Sequence, residues 1–548
     1  MRFIKKFFII TIIWVFLIPV KGCLPPDEYR DTDVFQEQKD IGVKIPTAPK
    51  SSEIILASVN VYGSDPLKSS DEIMTAFYSL VFKNLVELNE YQQCIPSIAR
   101  SWKITDDPKI WEVTINDKIY FHDGTELSAD DIIYTIDTIK NYGGQSPYLY
   151  NVNNIKSCEA LDNKIYITLT KEDSSLPWKL NIPIISRKDF LQTRDDSSFL
   201  NGTGPFKVID YNENFILIKK ITDDTTVRLK SVDSYKESKE IIKPGNNSIS
   251  IVPGKEGELY TKRVDLFQTE YIGNRFDFVS FNVNALLLNK PNVRKAISYF
   301  INVEEIVNQV YGENAVYADY PVHPKSFLNE WSIGAIHEYD PEKGKELMER
   351  EKFPMSGGVY QRIQQITGKD EEGNTIYYYR YYPVKFEILV NAYDSEKCMI
   401  AKLIKEQLES NGIQVTINEQ SGEKIKDLIK RKSFDILISS ISLNNIPDPE
   451  IIGMLYTKTG LTGSNEMYNV SNINDNVLNQ LCIQAAKAGS MSDMINALND
   501  IQYYLKDNVN YIGLCYMKKA SIYSRSIIGS FGQDNFSFFR NGEYLTVN

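Results

Sequence analysis

Between residues 385 and 440 the spacing of apolar side chains changes period four times. Residues 385–391 (KFEILVN) read as a strand. From 395 onward Met399, Ile400, Leu403, Ile404 and Leu408 recur at helical spacing, with Ser395 as the expected cap and Asn411-Gly412 as the stop. Residues 413–418 return to a strand. Residues 421–432 place Ile425, Leu428 and Ile429 on one helix face, and 434–440 (FDILISS) form a third strand. Five elements in β-α-β-α-β order with short connections predict parallel strands joined by crossovers, hence an α/β fold. In such sheets ligands bind beyond the carboxyl ends of the strands. The loop at 441–449 (ISLNNIPDP) leaves one of those ends and is a binding-loop candidate by position alone.

The first half is organised differently. A strand-like run begins at Glu53 (EIILASV). Residues 111–115 alternate as a half-buried strand, and 118–121 (KIYF) are expected to follow as a second one. Ser128 and Asp131 have the spacing of a helix N-terminus, Ile132, Ile133, Ile136 and Ile139 supply its apolar face, and Gly143-Gly144 its stop. With the strand at 164–169 (KIYITL) this makes an α+β segment. Residues 360–365 and 375–382 flank GKDEEGN and predict an exposed hairpin.

A chain of 548 residues is about twice what one hydrophobic core supports, so at least two lobes are expected. Lys and Arg total 61 against 72 Asp and Glu; the first 22 residues hold four of the cations and no acid, and without them the balance is 57 against 72, or −15. That surface repels phosphate backbones, so no nucleic-acid partner is expected. Residues 1–6 are short and basic, and 7–20 form an apolar run of 14, too short for a spanning helix, which needs about 20. This is the grammar of a signal peptide over 1–22. Val20-Lys21-Gly22-Cys23 resembles the lipobox of bacterial lipoproteins, which implies lipidation at Cys23; the alternative is an uncleaved signal anchor. Residues 23–52, rich in proline and charge, read as a flexible tether. No later segment is apolar enough to span a bilayer, so membrane attachment is expected through the N-terminal lipid only. Cys94, Cys158, Cys398, Cys482 and Cys515 are far apart with no CxxC pair, and the chain has three histidines, so no metal site, no redox motif and no cofactor are expected.

Chemistry-bearing motifs are sparse. His122-Asp123-Gly124 reads as turn chemistry, since no nucleophile stands beside it. Residues 349–352 (EREK) read as a solvated helix face. The YYYRYY run at 377–382 invites a stacking platform, but tyrosines on two faces of a hairpin strand more often form cross-strand pairs. GxxxxGK[ST], GxSxG and HExxH are absent, so no catalytic residue is assigned. A glycoside hydrolase with paired carboxylates stays open as an alternative, because 72 acids are present.

Residues 80–88 (LVFKNLVEL), 95–102 (IPSIARSW) and 121–131 (FHDGTELSADD) resemble the signature region of family 5 solute-binding proteins. These are oligopeptide- and dipeptide-binding receptors of ABC importers, with nickel-binding and some oligosaccharide-binding members. GTGPF at 202–206, Phe281-Asn282 with NVRKAI at 292–297, Tyr339-Asp340-Pro341 and the 434–449 segment follow in the family's order; Asn116 and Asn510 depart from it. The resemblance implies a type II periplasmic-binding-protein fold of two lobes and a hinge. Residues 53–74, 201–281 and 511–548 would form the first lobe, 75–200 an inserted domain, and 282–510 the second lobe. It implies a monomeric receptor, not an enzyme, anchored at the cell membrane and facing outward (or into a periplasm), that hands a peptide or other small solute to an importer permease. An oligosaccharide or a metal complex is the alternative ligand. Val61, Tyr62 and Gly63, with Ser440, Ile441, Ser442 and Leu443, would offer backbone groups to an extended ligand. Asn445 stands where peptide-binding members have an aspartate for the ligand's ammonium, Asp448 could substitute, and Asp448-Pro449 also suits a helix start.

Overall fold

The structure, a computed structural model, describes residues 52–59, 61, 65–69, 71–188, 200–331, 333, 338–443, 446, 469–529, 531, 538–539 and 542–548. All belong to one compact unit, Thr47–Asn548; the other unit, Met1–Pro46, lies outside the described residues, as do the expected signal segment and Cys23.

Two long strands, Leu266–Phe281 and Tyr511–Ser524, pair antiparallel from Leu266 opposite Ser524 to Ser280 opposite Tyr511. Further strands join this ribbon. Ile249–Pro253 pairs with Lys519 to Tyr523, while Ile436–Ser442 pairs with Arg275 to Phe281. Beyond Ile436–Ser442 come Lys385–Asn391 and then Gln414–Gln420, both parallel, so the predicted β-α-β-α-β unit is present. Its side chains alternate between two cores. Ile388, Val390, Ile436 and Ile438 pack with Ile400, Ile404 and Leu408, whereas Leu389 and Leu437 pack with Phe276, Phe278, Leu498 and Leu505 on the opposite face. Burial on both faces is what near-continuous apolar runs in parallel strands encode.

Two boundaries differ from expectation. The helix Ser395–Ser410 is capped by Asp394, whose Oδ1 accepts from the Lys397 N–H at 3.0 Å, so Ser395 is already inside it. Met399 is 48% exposed because Ile400, Ile404 and Leu408 set the buried line, and Met399 lies about 100° away from it. Residues 118–121 do not form a strand. Ile110–Ile115 has both edges occupied, by Ala99–Ile104 and Lys164–Leu169, so 118–121 contributes only the Tyr120–Glu126 bridge. Helix Ala129–Tyr142 has the expected start and stop: Asp131 accepts from Ser128, and Ile132, Ile136 and Ile139 are fully buried, while Ile133 is only half-buried. The hairpin is longer than read, Val359–Lys369 with Thr375–Pro383, and Tyr377, Tyr378, Tyr379 and Tyr381 stay exposed. In the 349–352 run Glu351 is not merely solvated; it accepts from Lys290 (2.7 Å) and Asn292 (2.8 Å).

Three of the sequence motifs are buried hydrogen-bonding devices. Asn282 donates its side-chain amide to the carbonyls of Lys432 (3.1 Å) and Phe434 (2.8 Å), holding the end of one long strand against the start of the third parallel strand. Arg294, on helix Pro291–Phe300, donates to the carbonyls of Leu288, Asn508 and Val509 and to Asn510 Oδ1. With no carboxylate beside it, burial pulls its pKa down to about 10. The carbonyls at the end of helix Met491–Asn508 thus receive a cation where the chain enters the second long strand. In GTGPF, a Cβ on Gly202 would collide with the Val81 carbonyl, and His122 braces the motif by accepting from the Gly202 N–H (3.2 Å) and bonding the Gly204 carbonyl through Nε2 (2.9 Å). Asp123 Oδ1 accepts from the Thr125 N–H, the turn chemistry expected. Among the described residues, Cys94, Cys158, Cys398, Cys482 and Cys515 form no disulfide with one another.

One ion pair is enclosed. Lys179 Nζ stands 2.7 Å from Asp173 Oδ2 with both side chains nearly inaccessible, and 4.8 Å from the Tyr150 ring centre. Burial opposes the Asp173 charge, but Lys179, Ser175 and Asn154 outweigh it and hold the carboxyl below its ordinary range. Lys179→Met strands a buried carboxylate and should cost about 3–5 kcal/mol, read as a lower denaturant midpoint. A folded pKa below the unfolded value of about 3.9 means this stabilisation is full above that pH and is lost as pH falls through the folded pKa. The acid-induced transition of the wild type should therefore be steeper than that of Lys179→Met with Asp173→Asn; identical acid profiles would show that the pair contributes nothing.

Candidate functional site

The register of the long ribbon breaks in its middle. Ile272 faces Lys518 and Phe276 faces Tyr516, so Gly273, Asn274 and Arg275 stand opposite Met517 alone. Farther along, Asp277 faces Cys515 and Phe278 faces Gly513, leaving Leu514 as the extra residue on the other strand. Such bulges bend a strand and re-aim its side chains. Gly513 has no room for a Cβ, which would meet the backbone of Ala318 and Asp319.

The first break sets the position of the strand that follows. Asn274 accepts from the Leu443 N–H (3.0 Å) and returns its side-chain amide to the Leu443 carbonyl (3.0 Å). In an antiparallel ladder successive residues turn their backbone groups to alternate edges. Leu443 bonds toward Asn274, so Ile441, opposite Phe276, turns the same way, while Ser440 and Ser442 present N–H and C=O to the other edge. On that other edge, pairing with Lys385–Asn391 reaches only Leu437 among the described residues. Among the described residues nothing pairs with the ladder groups that Ser440 and Ser442 turn to this edge, at the carboxyl end of a parallel strand, the position where such sheets bind ligands.

A charged cluster lies against this edge. Arg275 makes a two-point contact with the fully buried Asp277 (2.9 and 3.1 Å), and Tyr311 donates to Asp277 at 2.9 Å. Arg275 also approaches Asp394 (3.8 Å), itself 2.6 Å from Lys397 at the carboxyl end of Lys385–Asn391. Burial works against the Arg275 charge, yet Asp277 holds the guanidinium above its ordinary range; burial, then Asp277, pushes the Tyr311 phenol up. Asp394 is held below the carboxylate range despite burial, by hydrogen bonds from Lys397. The side chain of Arg275 remains 35% exposed and is the cation this cluster can offer a ligand. Sequence reasoning missed these residues. Their signal was available: Arg275 and Asp277 fall in the same alternation as the buried Val279 and Phe281, so charges stand where the pattern calls for apolar residues.

Of the residues expected at the site, Ser440, Ile441, Ser442 and Leu443 are described as above. Ser442 is exposed and Leu443 buried. Val61 is buried and donates its N–H to Ser231 Oγ (3.3 Å). It precedes helix Glu72–Val81, whose Glu72 accepts from Tyr271 (3.0 Å) and pairs with Lys519, fixing this end of the helix to the ribbon. Tyr271 and Arg275 are four residues apart on one strand, so the two expected flanks attach to neighbouring stretches of the same ribbon. Tyr62, Gly63, Asn445, Asp448 and Pro449 lie outside the described residues.

Comparison with known proteins adds the following. The oligopeptide-binding protein AppA of Bacillus subtilis is 22% identical over 409 residues, covering 70% of this chain and 72% of its own. The peptide transport periplasmic protein SapA of Salmonella typhimurium is 26% identical over 322 residues, covering 51% of this chain and 58% of SapA, so that match spans little more than half of the relative. The crystal structure of the ABC transporter substrate binding protein CtaP of Listeria monocytogenes superposes with a TM-score of 0.71 at 18% identity, over 90% of this chain and 99% of that one. The α/β fold expected from the sequence is thus that of solved solute-binding proteins. Residues 93–463 match the family described as bacterial extracellular solute-binding proteins, family 5 Middle. With that match covering more than half of the chain and including the parallel unit, the chain belongs to the family 5 bacterial extracellular solute-binding proteins.

Proposed function

We propose that the protein is a lipid-anchored receptor on the outer face of the cell membrane that captures an oligopeptide and delivers it to the permease of an ABC importer. The observation that carries the peptide reading is the open edge at Ser440 and Ser442. Alternate backbone groups there match the repeat of an extended main chain, which binds by adding a strand. The partly exposed Arg275 beside that edge suits a ligand carboxylate. Relatives named for oligopeptide binding and peptide transport favour the same ligand class. In this reading 53–74, 201–281 and 511–548 form one lobe carrying the 75–200 insertion, 282–510 form the other, and the two close on the ligand by bending of the paired long strands. The receptor works as a monomer and catalyses nothing.

The edge is tested by Ser440→Pro. Proline there deletes an outward N–H and spares the ladder bonds toward Phe276. Peptides that co-purify with the protein, identified by native mass spectrometry, should bind the variant about two- to tenfold more weakly by calorimetry, with a nearly unchanged melting temperature. Ile441→Pro breaks the ladder and should lower the melting temperature instead. Unchanged affinity in Ser440→Pro removes this edge from the site.

Two further expectations concern residues outside the described set. Cys23→Ser should release the protein into the medium or leave an uncleaved precursor, because stable anchoring needs more than one acyl chain; membrane fractionation with normal retention refutes the anchor. Asn445→Asp should tighten binding of free-amine peptides about tenfold, since roughly 1.4 kcal/mol separates a charge-assisted from a neutral hydrogen bond. It should not help N-acetylated ones. Titration of both proteins with matched peptides decides it: equal affinities in all four pairings place Asn445 away from the ligand.

A further inference from the structure

Strand Thr375–Pro383 is the last of its sheet: among the described residues it pairs with Val359–Lys369 alone. The register runs from Gln361 opposite Pro383 to Lys369 opposite Thr375 without a bulge. Natural sheets protect such edges by shortness, charge, proline, a bulge or a cover. This strand has nine residues, a single charge at Arg380 and a proline only at its last position. Tyr377, Tyr379 and Tyr381 stand on one face, exposed, opposite Thr367, Gln365 and Ile363 and not opposite other rings. A two-stranded ribbon is marginal in water and gains from a further strand.

The backbone fixes which groups this edge offers. Asp370 donates its N–H to the Asn374 carbonyl (3.0 Å), and Val384 donates to the Tyr360 carbonyl (2.7 Å). Alternate residues of an antiparallel strand bond to opposite edges, so the even-numbered positions bond inward. Thr375, Tyr377, Tyr379 and Tyr381 therefore turn both N–H and C=O to the free edge. Residues 376–382 read IYYYRYY, nearly the same in either direction. Laid antiparallel on a second copy about Tyr379, all nine residues overlap, Tyr379 meets Tyr379 and Tyr377 meets Tyr381. On the other face Arg380 meets Tyr378, a stack of the kind that Arg362 already makes on Tyr382 at 4.4 Å. Centring the pair on Arg380 instead would oppose two guanidinium groups, which is destabilising. The same arrangement brings the exposed Glu371 and Glu372 at the tip of one hairpin to the root of the other, where Lys385 is exposed. We propose that Thr375–Pro383 is a contact between two copies of this chain, paired antiparallel about Tyr379 into a four-stranded ribbon. It engages nine residues a side, against about 20–30 in a standard interface, so the pairing is reversible. It uses no residue of the Ser440–Arg275 edge, and each copy still captures its ligand alone.

Cysteine trapping reads the register. In the full chain, Tyr379→Cys sets a thiol opposite its own copy in a hydrogen-bonded pair, with Cα atoms about 5.5 Å apart and within disulfide reach. Tyr377→Cys sets its two thiols four residues out of register, on the order of 13 Å apart or more and beyond that reach. Oxidised in air with copper–phenanthroline, Tyr379→Cys should run as a covalent dimer on a non-reducing gel. The wild type and Tyr377→Cys should not, whereas Tyr377→Cys mixed with Tyr381→Cys should. By sedimentation the wild type should dimerise reversibly with a Kd of about 10–500 µM. Tyr379→Glu opposes two carboxylates at the centre and should weaken this about three- to tenfold at an unchanged melting temperature. A wild type that stays monomeric up to about 1 mM, equal crosslinking of Tyr377→Cys and Tyr379→Cys, or undiminished association of Tyr379→Glu each overturns the proposal.

Discussion

A hydrogen-bonded ladder cannot absorb an extra residue silently; it expels it, and the chain turns at that point. Much of this molecule follows from where the ribbon of Leu266–Phe281 and Tyr511–Ser524 does so. The surplus at Gly273–Arg275 swings Asn274 onto Leu443 and Arg275 onto Asp277. The surplus at Leu514 frees its carbonyl for the Ala318 N–H. One pair of strands thereby fixes the loop after the third parallel strand and a buried charge cluster. The same two strands carry Ile249–Pro253 on one flank and Ile436–Ser442 on the other, and Ala315–Tyr317 pairs with Cys515 to Met517 beside the bulged middle.

Polar groups enclosed by this fold are organised differently at different places. Arg294 is buried with carbonyls only, a cation serving helix termini and a crossing chain. Lys179 is buried with a carboxylate, a ring and two uncharged donors around that carboxylate. Arg275 satisfies Asp277 on one side and keeps a third of its surface in reach of solvent. Desolvation is the common cost, and what varies is whether the compensating partner is also committed. Only in the last case does part of the charged side chain stay within reach of something outside the protein.

The sequence made the parallel unit legible because strand and helix periods differ sharply and its apolar runs are long. The binding edge was legible by position for the same reason, since the strand ends follow from the strands. What was not legible is which of Ser440 to Leu443 face outward. That depends on the neighbouring strand's register, which a bulge 160 residues earlier decides. The false strand at 118–121 has a related origin: its side chains alternate suitably, but strand formation also needs a free edge, and edges are a property of the assembled sheet. Ser395 lost the cap to Asp394 by one position, a choice between two good capping residues that local spacing leaves undecided.

The cysteines of the described residues are kept chemically quiet by the fold. Burial pushes the Cys158 thiol up to about 12 and those of Cys94, Cys398 and Cys515 upward as well, so almost none of these sulfurs is a thiolate at neutral pH. Thiol–disulfide exchange runs through the thiolate, which the fold makes scarce at all four of these sulfurs. The fold described here is completed without any sulfur–sulfur bond. A reducing medium therefore removes no bond from the described part of the fold.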